Sequence, residues 1–164
     1  MEILVIMVNN MVFGMTGGQV SPTTPENFTT RTTPYGNYER PLDTCKIVAN
    51  AGASYVARWT TTHVFQLKDS IKRALLKVMN GEGMAFIEVV SQCPTRLGHM
   101  LGSSAPEMMK LLHKLPIDVK KYYESPNQYE GRIPIGIYVD REDVGYVKRY
   151  YKIIEKVKGE NVGD

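Results

Sequence analysis

The chain has 164 residues, of which 43% are hydrophobic and 23% charged, and this composition predicts one folded domain with a hydrophobic core. The small net charge of +3 argues against a large nucleic-acid footprint and predicts a solvated helix face instead. Two cysteines, Cys45 and Cys93, exclude a disulfide framework, and neither lies in a CxxC pair typical of zinc sites. Free cysteines indicate a reducing compartment, so we expect a cytoplasmic protein.

The first segment, "MEILVIMV", predicts a buried β-strand over residues 2–8. Its apolar run is too short to span a bilayer. Glu2 stands in it, and neither a basic region nor a small-residue cleavage site accompanies it, so it does not match a signal peptide. We therefore expect no membrane association.

A long polar loop, rich in turn residues, follows from Asn9 to about Arg40. Loops of this length in compact proteins are usually functional or disordered. Asn9 and Asn10 offer neutral oxygen atoms that suit Mg²⁺ beside phosphate groups, and the glycines at 14, 17 and 18 let backbone N–H groups approach a ligand closely. The alternative is an Ω-loop in which the two asparagines only form a turn, and the residues alone leave both interpretations open.

Beyond the loop, apolar periodicity alternates between helix and strand. We predict a helix that starts at Pro41 or Leu42 and stops at Gly52, a strand at 54–59, a helix at 64–79 and a strand at 84–91. This order predicts an α/β fold with a mostly parallel sheet and helices on both faces. Ligands of such sheets bind at the carboxyl ends of the strands, where Asn9 and Asn10 fall.

The pattern changes after Cys93. Two short helices are predicted at 105–115 and 118–125, a strand at 133–138, and a basic amphipathic helix at 142–158. The apolar residues expected on the inner side of the last helix are Val147, Tyr150, Tyr151, Ile154 and Val157. Low-complexity disorder is expected only in the long loop and in the final residues 158–164.

Four sequence blocks occur in one order: "VNNMVFGMTGGQVSPTTP", "TTPYGN", "AGASYVARWTTTH" and "FIEVVSQCPT". Together they resemble the thiamine-diphosphate-binding β subunit of 2-oxoacid:ferredoxin oxidoreductases, with the 2-oxoglutarate (KorB-type) branch nearest and the pyruvate and branched-chain branches close by. The resemblance covers roughly residues 3–103. It implies that 1–103 is the C-terminal half of a thiamine-diphosphate-binding (pyrophosphate) domain and that 104–164 is a helical extension that packs on it or on a partner subunit.

The resemblance also implies roles for individual residues. Asn10 corresponds to the side-chain ligand of Mg²⁺, Val12 supplies a backbone carbonyl to the same ion, and Asn9 supports them. The diphosphate-binding residues, of which Met15 and Thr16 also border the substrate pocket, are then Phe13, Gly14, Met15, Thr16, Gly17, Gly18 and Gln19. Cys93 corresponds to the fourth ligand of a 4Fe–4S cluster, although the residues alone favour a small buried cysteine after a strand. Cys45 is expected only to pack.

The implied activity is the coenzyme A-dependent oxidative decarboxylation of a 2-oxo acid to an acyl-CoA and CO₂, with ferredoxin as electron acceptor. The implied partners are the other oxidoreductase subunits (α, with γ and δ as further candidates). The family's Gly-Asp-Gly segment and its other cluster cysteines belong upstream of Asn9, so we expect that the N-terminal half of the domain is missing and that the isolated chain is inactive. Two alternatives remain: an assembly remnant without activity, and a module that binds protein or nucleic acid through the basic helix "RYYKIIEKVKGE".

Overall fold

A five-stranded sheet organises residues 1–160, the part of the chain that the computed structural model describes. In chain order the elements are β1 (Leu4–Asn9), β2 (Val12–Phe13), β3 (Gln19–Val20), α1 (Thr44–Asn50), β4 (Tyr55–Thr60), α2 (Val64–Met79), β5 (Ala85–Val90), α3 (His99–Leu101), α4 (Ala105–Lys114), β6 (Pro116–Asp118), α5 (Val119–Glu124), β7 (Ile133–Asp140) and α6 (Tyr146–Glu160). A π-helical turn (Pro94–Gly98) precedes α3, and a 3₁₀ turn (Pro126–Tyr129) follows α5.

The strand order of the sheet is β1-β5-β4-β7-β6. Strands β1, β5 and β4 are parallel, β7 runs antiparallel to β4, and β6 runs parallel to β7. The mostly parallel α/β sheet predicted from the sequence is therefore confirmed. The segment 104–164 is more than a helical extension, because it contributes β6 and β7 to the same sheet.

Helices α1 and α2 cover opposite faces of the sheet. Successive residues of a strand point to opposite sides, so neighbouring residues pack against different helices. Tyr55 and Ile87 pack with the apolar stripe of α2. Their neighbours Val56 and Phe86 pack on the other face, in a cluster with Cys45 of α1. Cys45 is fully buried there, as expected of a packing residue.

Helix boundaries follow local chemistry. Helix α2 spans the predicted residues 64–79. Helix α1 begins at Thr44, later than predicted, because the side chain of Asp43 caps it and accepts a hydrogen bond from the backbone N–H of Lys46. It ends before Gly52, whose φ of 97° is a left-handed conformation that favours glycine.

The prediction for the last helix is partly wrong. Helix α6 begins at Tyr146, and four residues of its predicted inner side (Val147, Tyr150, Tyr151 and Val157) are 46–59% exposed. Periodicity locates an apolar face but does not reveal whether anything covers it. Residues 158–160 are helical, and the rest of the segment expected to be disordered lies outside the described residues. Among residues 1–160, no helix is both long and apolar enough to cross a membrane.

We expect Ile87→Ala to lower the free energy of unfolding by about 2–5 kcal/mol, because it leaves a cavity at a site with no exposed surface. Ile6→Ala is the matched control, since Ile6 on the edge strand β1 is 44% exposed. Urea unfolding of both variants measures the difference. Equal losses would contradict the assignment of the core to the centre of the sheet.

Candidate functional site

The predicted ligand loop leaves the sheet at the carboxyl end of β1, and Asn9 anchors it. The Asn9 side chain is buried, and its Nδ2 donates to Oε1 of Glu88 at 2.7 Å. Its Oδ1 accepts hydrogen bonds from the backbone N–H of Met11 at 2.9 Å and from the hydroxyl of Thr23 at 2.8 Å. Because protein donors already occupy the oxygen, Asn9 suits a support role better than a ligand role.

The next three residues form a strained turn. Met11 has a φ of 66°, a conformation that is uncommon for a residue other than glycine. Its carbonyl accepts a hydrogen bond from the Thr24 hydroxyl at 2.5 Å, while its N–H donates to Asn9. In contrast, Oδ1 of Asn10 accepts only one long hydrogen bond within residues 1–160, from the backbone N–H of Val12 at 3.4 Å. The side-chain oxygen of Asn10 therefore accepts fewer and weaker hydrogen bonds than that of Asn9.

The glycine-rich turn lies between β2 and β3, which pair as a small antiparallel hairpin. Gly17 and Gly18 have φ values of 125° and 92°, so side chains at these two positions would strain the turn. Thr16 and Gln19 close the turn by mutual hydrogen bonds: Oγ1 of Thr16 donates to Oε1 of Gln19, and Nε2 of Gln19 donates to the Thr16 carbonyl, both at 2.7 Å. The ordered hairpin argues against disorder in this part of the loop.

Gly14 lies where the loop after β1 meets Cys93, which is distant in the sequence. A Cβ atom at this position would lie 3.0 Å from Sγ of Cys93 and 3.4 Å from Nδ2 of Asn10. A cleft of about 610 Å³ opens at this point and is lined by Asn10, Gly14, Met15, Cys93, Thr95 and Arg96. The structure thus gathers three of the predicted loop residues and Cys93 around one cleft. Asn10 and Val12 also share a smaller cleft of about 370 Å³.

Not every predicted site residue faces this cleft. Phe13 lies outside the cleft and is 54% exposed, whereas Met15 borders the cleft but its side chain is fully exposed at the tip of the loop. Thr16 and Gln19 bond to each other. If these residues bind a ligand, that ligand covers surface that is open to solvent in this chain.

Cys93 lies directly before the π-helical turn. Burial raises the pKa of its thiol, but hydrogen bonds from the backbone N–H groups of Leu97 and Arg96, and from the Thr95 hydroxyl, lower it, and the net pKa is below its ordinary value. The lowered pKa increases the thiolate fraction of Cys93 relative to an ordinary cysteine, and the thiolate is the form that binds metals. Within residues 1–160, no three His, Cys, Asp or Glu side chains are grouped to hold a metal ion.

A buried polar network behind Asn9 was not predicted from the sequence. Glu88 is 2% exposed and Arg58 is 7% exposed, although both stand in apolar strands. The strand register places them opposite each other, and Nε of Arg58 donates to Oε2 of Glu88 at 2.7 Å. One sequence signal could have found them, because "SYVARW" and "MAFIEVVS" each carry one charge within a strand that reads as buried.

Comparisons with known proteins identify the family of the chain. Residues 1–89 match the family described as "Thiamine pyrophosphate enzyme, C-terminal TPP binding domain". The match covers more than half of the chain and includes β1, the glycine-rich hairpin and most of β5. The chain belongs to this family and carries a thiamine-diphosphate-binding domain.

Individual relatives show which enzymes of this family the chain is similar to. The chain is 46% identical to 2-oxoglutarate synthase subunit KorB of Methanocaldococcus jannaschii, over 97% of this chain and 58% of that protein. It is 43% identical to KorB of Methanothermobacter marburgensis, over 96% of this chain and 55% of that protein. The solved 2-oxoglutarate:ferredoxin oxidoreductase from Magnetococcus marinus, with 2-oxoglutarate, coenzyme A and succinyl-CoA bound, has a TM-score of 0.72 and 27% identity over 94% of this chain and 53% of that one. The resemblance read from the four sequence blocks is confirmed, and the chain spans little more than half the length of these relatives.

We expect iodoacetamide to label Cys93 before Cys45. Cys45 is fully buried, and burial raises the pKa of its thiol, whereas the pKa of Cys93 is lowered. Because only the thiolate reacts, the labelling rate of Cys93 should reach half its maximum at a lower pH than that of a free cysteine measured under the same conditions. Mass spectrometry of folded protein, with Cys93→Ala as the control, follows both sites. Equal labelling of the two cysteines, or a Cys93 midpoint above that of a free thiol, would contradict the geometry.

Proposed function

We propose that this chain is part of a thiamine-diphosphate-dependent 2-oxoacid:ferredoxin oxidoreductase of the 2-oxoglutarate synthase type. The proposed reaction is the coenzyme A-dependent oxidative decarboxylation of the 2-oxo acid to acyl-CoA and CO₂, with ferredoxin as electron acceptor. The observation that carries the proposal is the meeting of Asn10, Gly14 and Cys93 at one cleft, in a domain of the thiamine pyrophosphate enzyme family. The names of the relatives support the substrate class.

The donor atoms of the loop fit the proposed metal. Mg²⁺ prefers oxygen ligands and is bound through few protein groups together with phosphate oxygens. The proposal assigns the Asn10 side-chain oxygen and the Val12 backbone carbonyl to the ion, and the long hydrogen bond of Asn10 leaves its oxygen available. Gly17 and Gly18 allow the backbone to approach the diphosphate, with the rest of the segment from Phe13 to Gln19 around it.

When bound, thiamine diphosphate supplies the carbanion and electron-sink chemistry that decarboxylation of a 2-oxo acid requires. The part of this chain is to hold and orient the cofactor, to neutralise its charge through the metal, and to exclude water from the reacting groups. Met15 and Thr16 border the substrate pocket in this proposal. Their exposure in the isolated chain supports a pocket that is completed by other residues.

The same proposal assigns Cys93 as the fourth ligand of a 4Fe–4S cluster in the complete enzyme. The lowered pKa of its thiol supports a ligand role. Each iron of such a cluster needs its own ligand, so one thiolate does not hold it. The other three thiolates have to come from outside residues 1–160.

The exposed edge of the sheet at β1 supports a cofactor site that is completed by residues of another polypeptide segment. Strand β1 forms one edge of the sheet, and its Ile6 and Val8 are 44% and 67% exposed. A continuous apolar run is typical of a parallel strand that is covered on both faces. We propose that a further polypeptide segment covers β1 and supplies the Gly-Asp-Gly part of the cofactor site. The exposed apolar face of α6 supports contact of region 104–164 with a partner subunit.

The remaining elements of the proposal concern partners and location. The relatives are named as subunits, which supports assembly with other oxidoreductase subunits and electron transfer to ferredoxin. Two free cysteines and no disulfide within residues 1–160 support a cytoplasmic location.

The test is a calorimetric titration with Mg²⁺ and thiamine diphosphate. We expect little binding by the chain alone. Binding should appear when the chain is co-expressed with the part of Methanocaldococcus jannaschii KorB that lies outside the matched region. Asn10→Ala should then weaken binding at least about tenfold, a loss typical of groups that build a metal site.

Asn50→Ala, at the exposed end of α1, is the matched control and should leave the affinity unchanged. The proposed function is wrong if the co-expressed protein does not bind the cofactor. The assignment of the metal ligand is wrong if Asn10→Ala and Asn50→Ala bind equally well.

A further inference from the structure

Glu88 is a buried acid whose contacts come from three different elements. Its Oε1 accepts a hydrogen bond from Nδ2 of Asn9 at the end of β1. Its Oε2 accepts from the Thr44 hydroxyl of α1 at 2.6 Å and from Nε of Arg58 in β4 at 2.7 Å. The thiol of Cys45 also lies 3.5 Å from the same oxygen.

Arg58 fixes the position of the Glu88 carboxylate, because its guanidinium group also binds two other residues. Its Nη2 donates to Oδ1 of Asp43 at 2.7 Å, and its Nη1 donates to the hydroxyl oxygen of Tyr138 at 2.6 Å. A guanidinium bound on three sides has one orientation. The carboxylate of Glu88 is thereby fixed in its plane and its position.

The contact with Glu88 determines which way the amide of Asn9 points. Because a carboxylate oxygen can only accept hydrogen bonds, the NH₂ group of Asn9 has to face Glu88. The oxygen of Asn9 then faces the loop, where it accepts hydrogen bonds from the N–H of Met11 and the hydroxyl of Thr23. The left-handed turn at Met11 thus depends on an amide orientation that is set in the core.

We propose that Glu88, oriented by Arg58, is a positioning residue for the cofactor loop: it acts through Asn9 to hold the strained Met11 between Asn10 and Val12. This inference rests on the proposed function, because those two residues are the metal ligands assigned above. Strained residues persist only where surrounding contacts over-determine them. Here the contacts run from the Arg58–Glu88 pair through one amide to the loop.

A donor–acceptor exchange tests the link. In Glu88→Gln, the new NH₂ group faces that of Asn9, so the Asn9 amide turns over and presents its own NH₂ to the N–H of Met11. In Asn9→Asp, two carboxyl groups face each other. The double variant with both substitutions restores the bond in reverse, since the new amide at position 88 donates and the new carboxylate at position 9 accepts. An oxygen next to the N–H of Met11 is retained in that double variant.

The readout on the full chain is amide hydrogen exchange, which needs no cofactor. Each single variant should reduce the protection of the Met11 amide at least about tenfold more than that of Ile87 in the sheet centre, as expected for loss of a charge-assisted hydrogen bond. The double variant should recover Met11 protection to within about threefold of the unaltered chain. Tyr55→Phe is the control, because it removes another buried hydrogen bond, to Ser70 at 2.7 Å, on the opposite sheet face.

Loss of protection at Met11 and Ile87 together, without recovery in the double variant, would show that Glu88 only stabilises the fold and would overturn the inference. Unchanged protection at Met11 would overturn it as well. If Glu88→Gln does not fold, Asn9→Asp alone serves instead, since it keeps an oxygen for the N–H of Met11 and changes only the group that faces Glu88. It should reduce Met11 protection by the same factor, and an unaffected Met11 amide would again overturn the inference.

A second readout separates this inference from the proposed function. In the co-expressed protein, Glu88→Gln should weaken binding of Mg²⁺ and thiamine diphosphate at least about tenfold, and the double variant should restore it. Tight binding by both the unaltered protein and Glu88→Gln would overturn the positioning role and leave the proposed function standing. If neither binds while Met11 exchange responds as described, the proposed function fails and the control of the loop by Glu88 stands.

Discussion

The contact between Arg58 and Glu88 joins the core of this protein to its loop. The two residues face each other in adjacent parallel strands, and Glu88 also reaches Asn9 on the third. Burying two charges costs desolvation free energy, so such a pair adds little net stability by itself. Once it is buried, however, removal of one partner leaves an uncompensated charge and costs about 3–5 kcal/mol. The pair therefore specifies one arrangement of three strands and of the loop that follows them.

This constraint explains how a loop without long regular structure becomes ordered. From Asn9 to Thr24 the backbone is held by side-chain hydrogen bonds, in which short amides and hydroxyls replace the ladder of a sheet. The hairpin of β2 and β3 supplies the remaining order. Asn10, with its single long hydrogen bond, and Met15, with its exposed side chain, are residues that the proposed function assigns to the ligand. The loop thus uses most of its polar groups to fix its own shape and leaves the Asn10 oxygen available at the cleft.

The fold and the location of the site could be predicted from the sequence to different degrees. Periodicity located α2 at its observed residues, because a long apolar stripe with flanking charges allows one register. The position of Asn9 and Asn10 at the end of the first strand was enough to locate the loop at the carboxyl edge. The proximity of Cys93 to Gly14 could not be derived, since it depends on β1 and β5 being neighbours in the sheet. The exposure of α6 and the Arg58–Glu88 pair also depend on tertiary contacts that local patterns do not encode.

The most direct measurement is a crystal structure of the co-expressed protein with thiamine diphosphate and Mn²⁺, in which anomalous scattering locates the metal. We predict that the metal is bound by the side-chain oxygen of Asn10 and the backbone carbonyl of Val12, with Met11 still left-handed and Asn9 still bonded to Glu88. A metal bound by the Asn9 oxygen would contradict the division between ligand and support, because that oxygen would have had to leave Met11 and Thr23. A cofactor bound away from this loop would contradict the site itself.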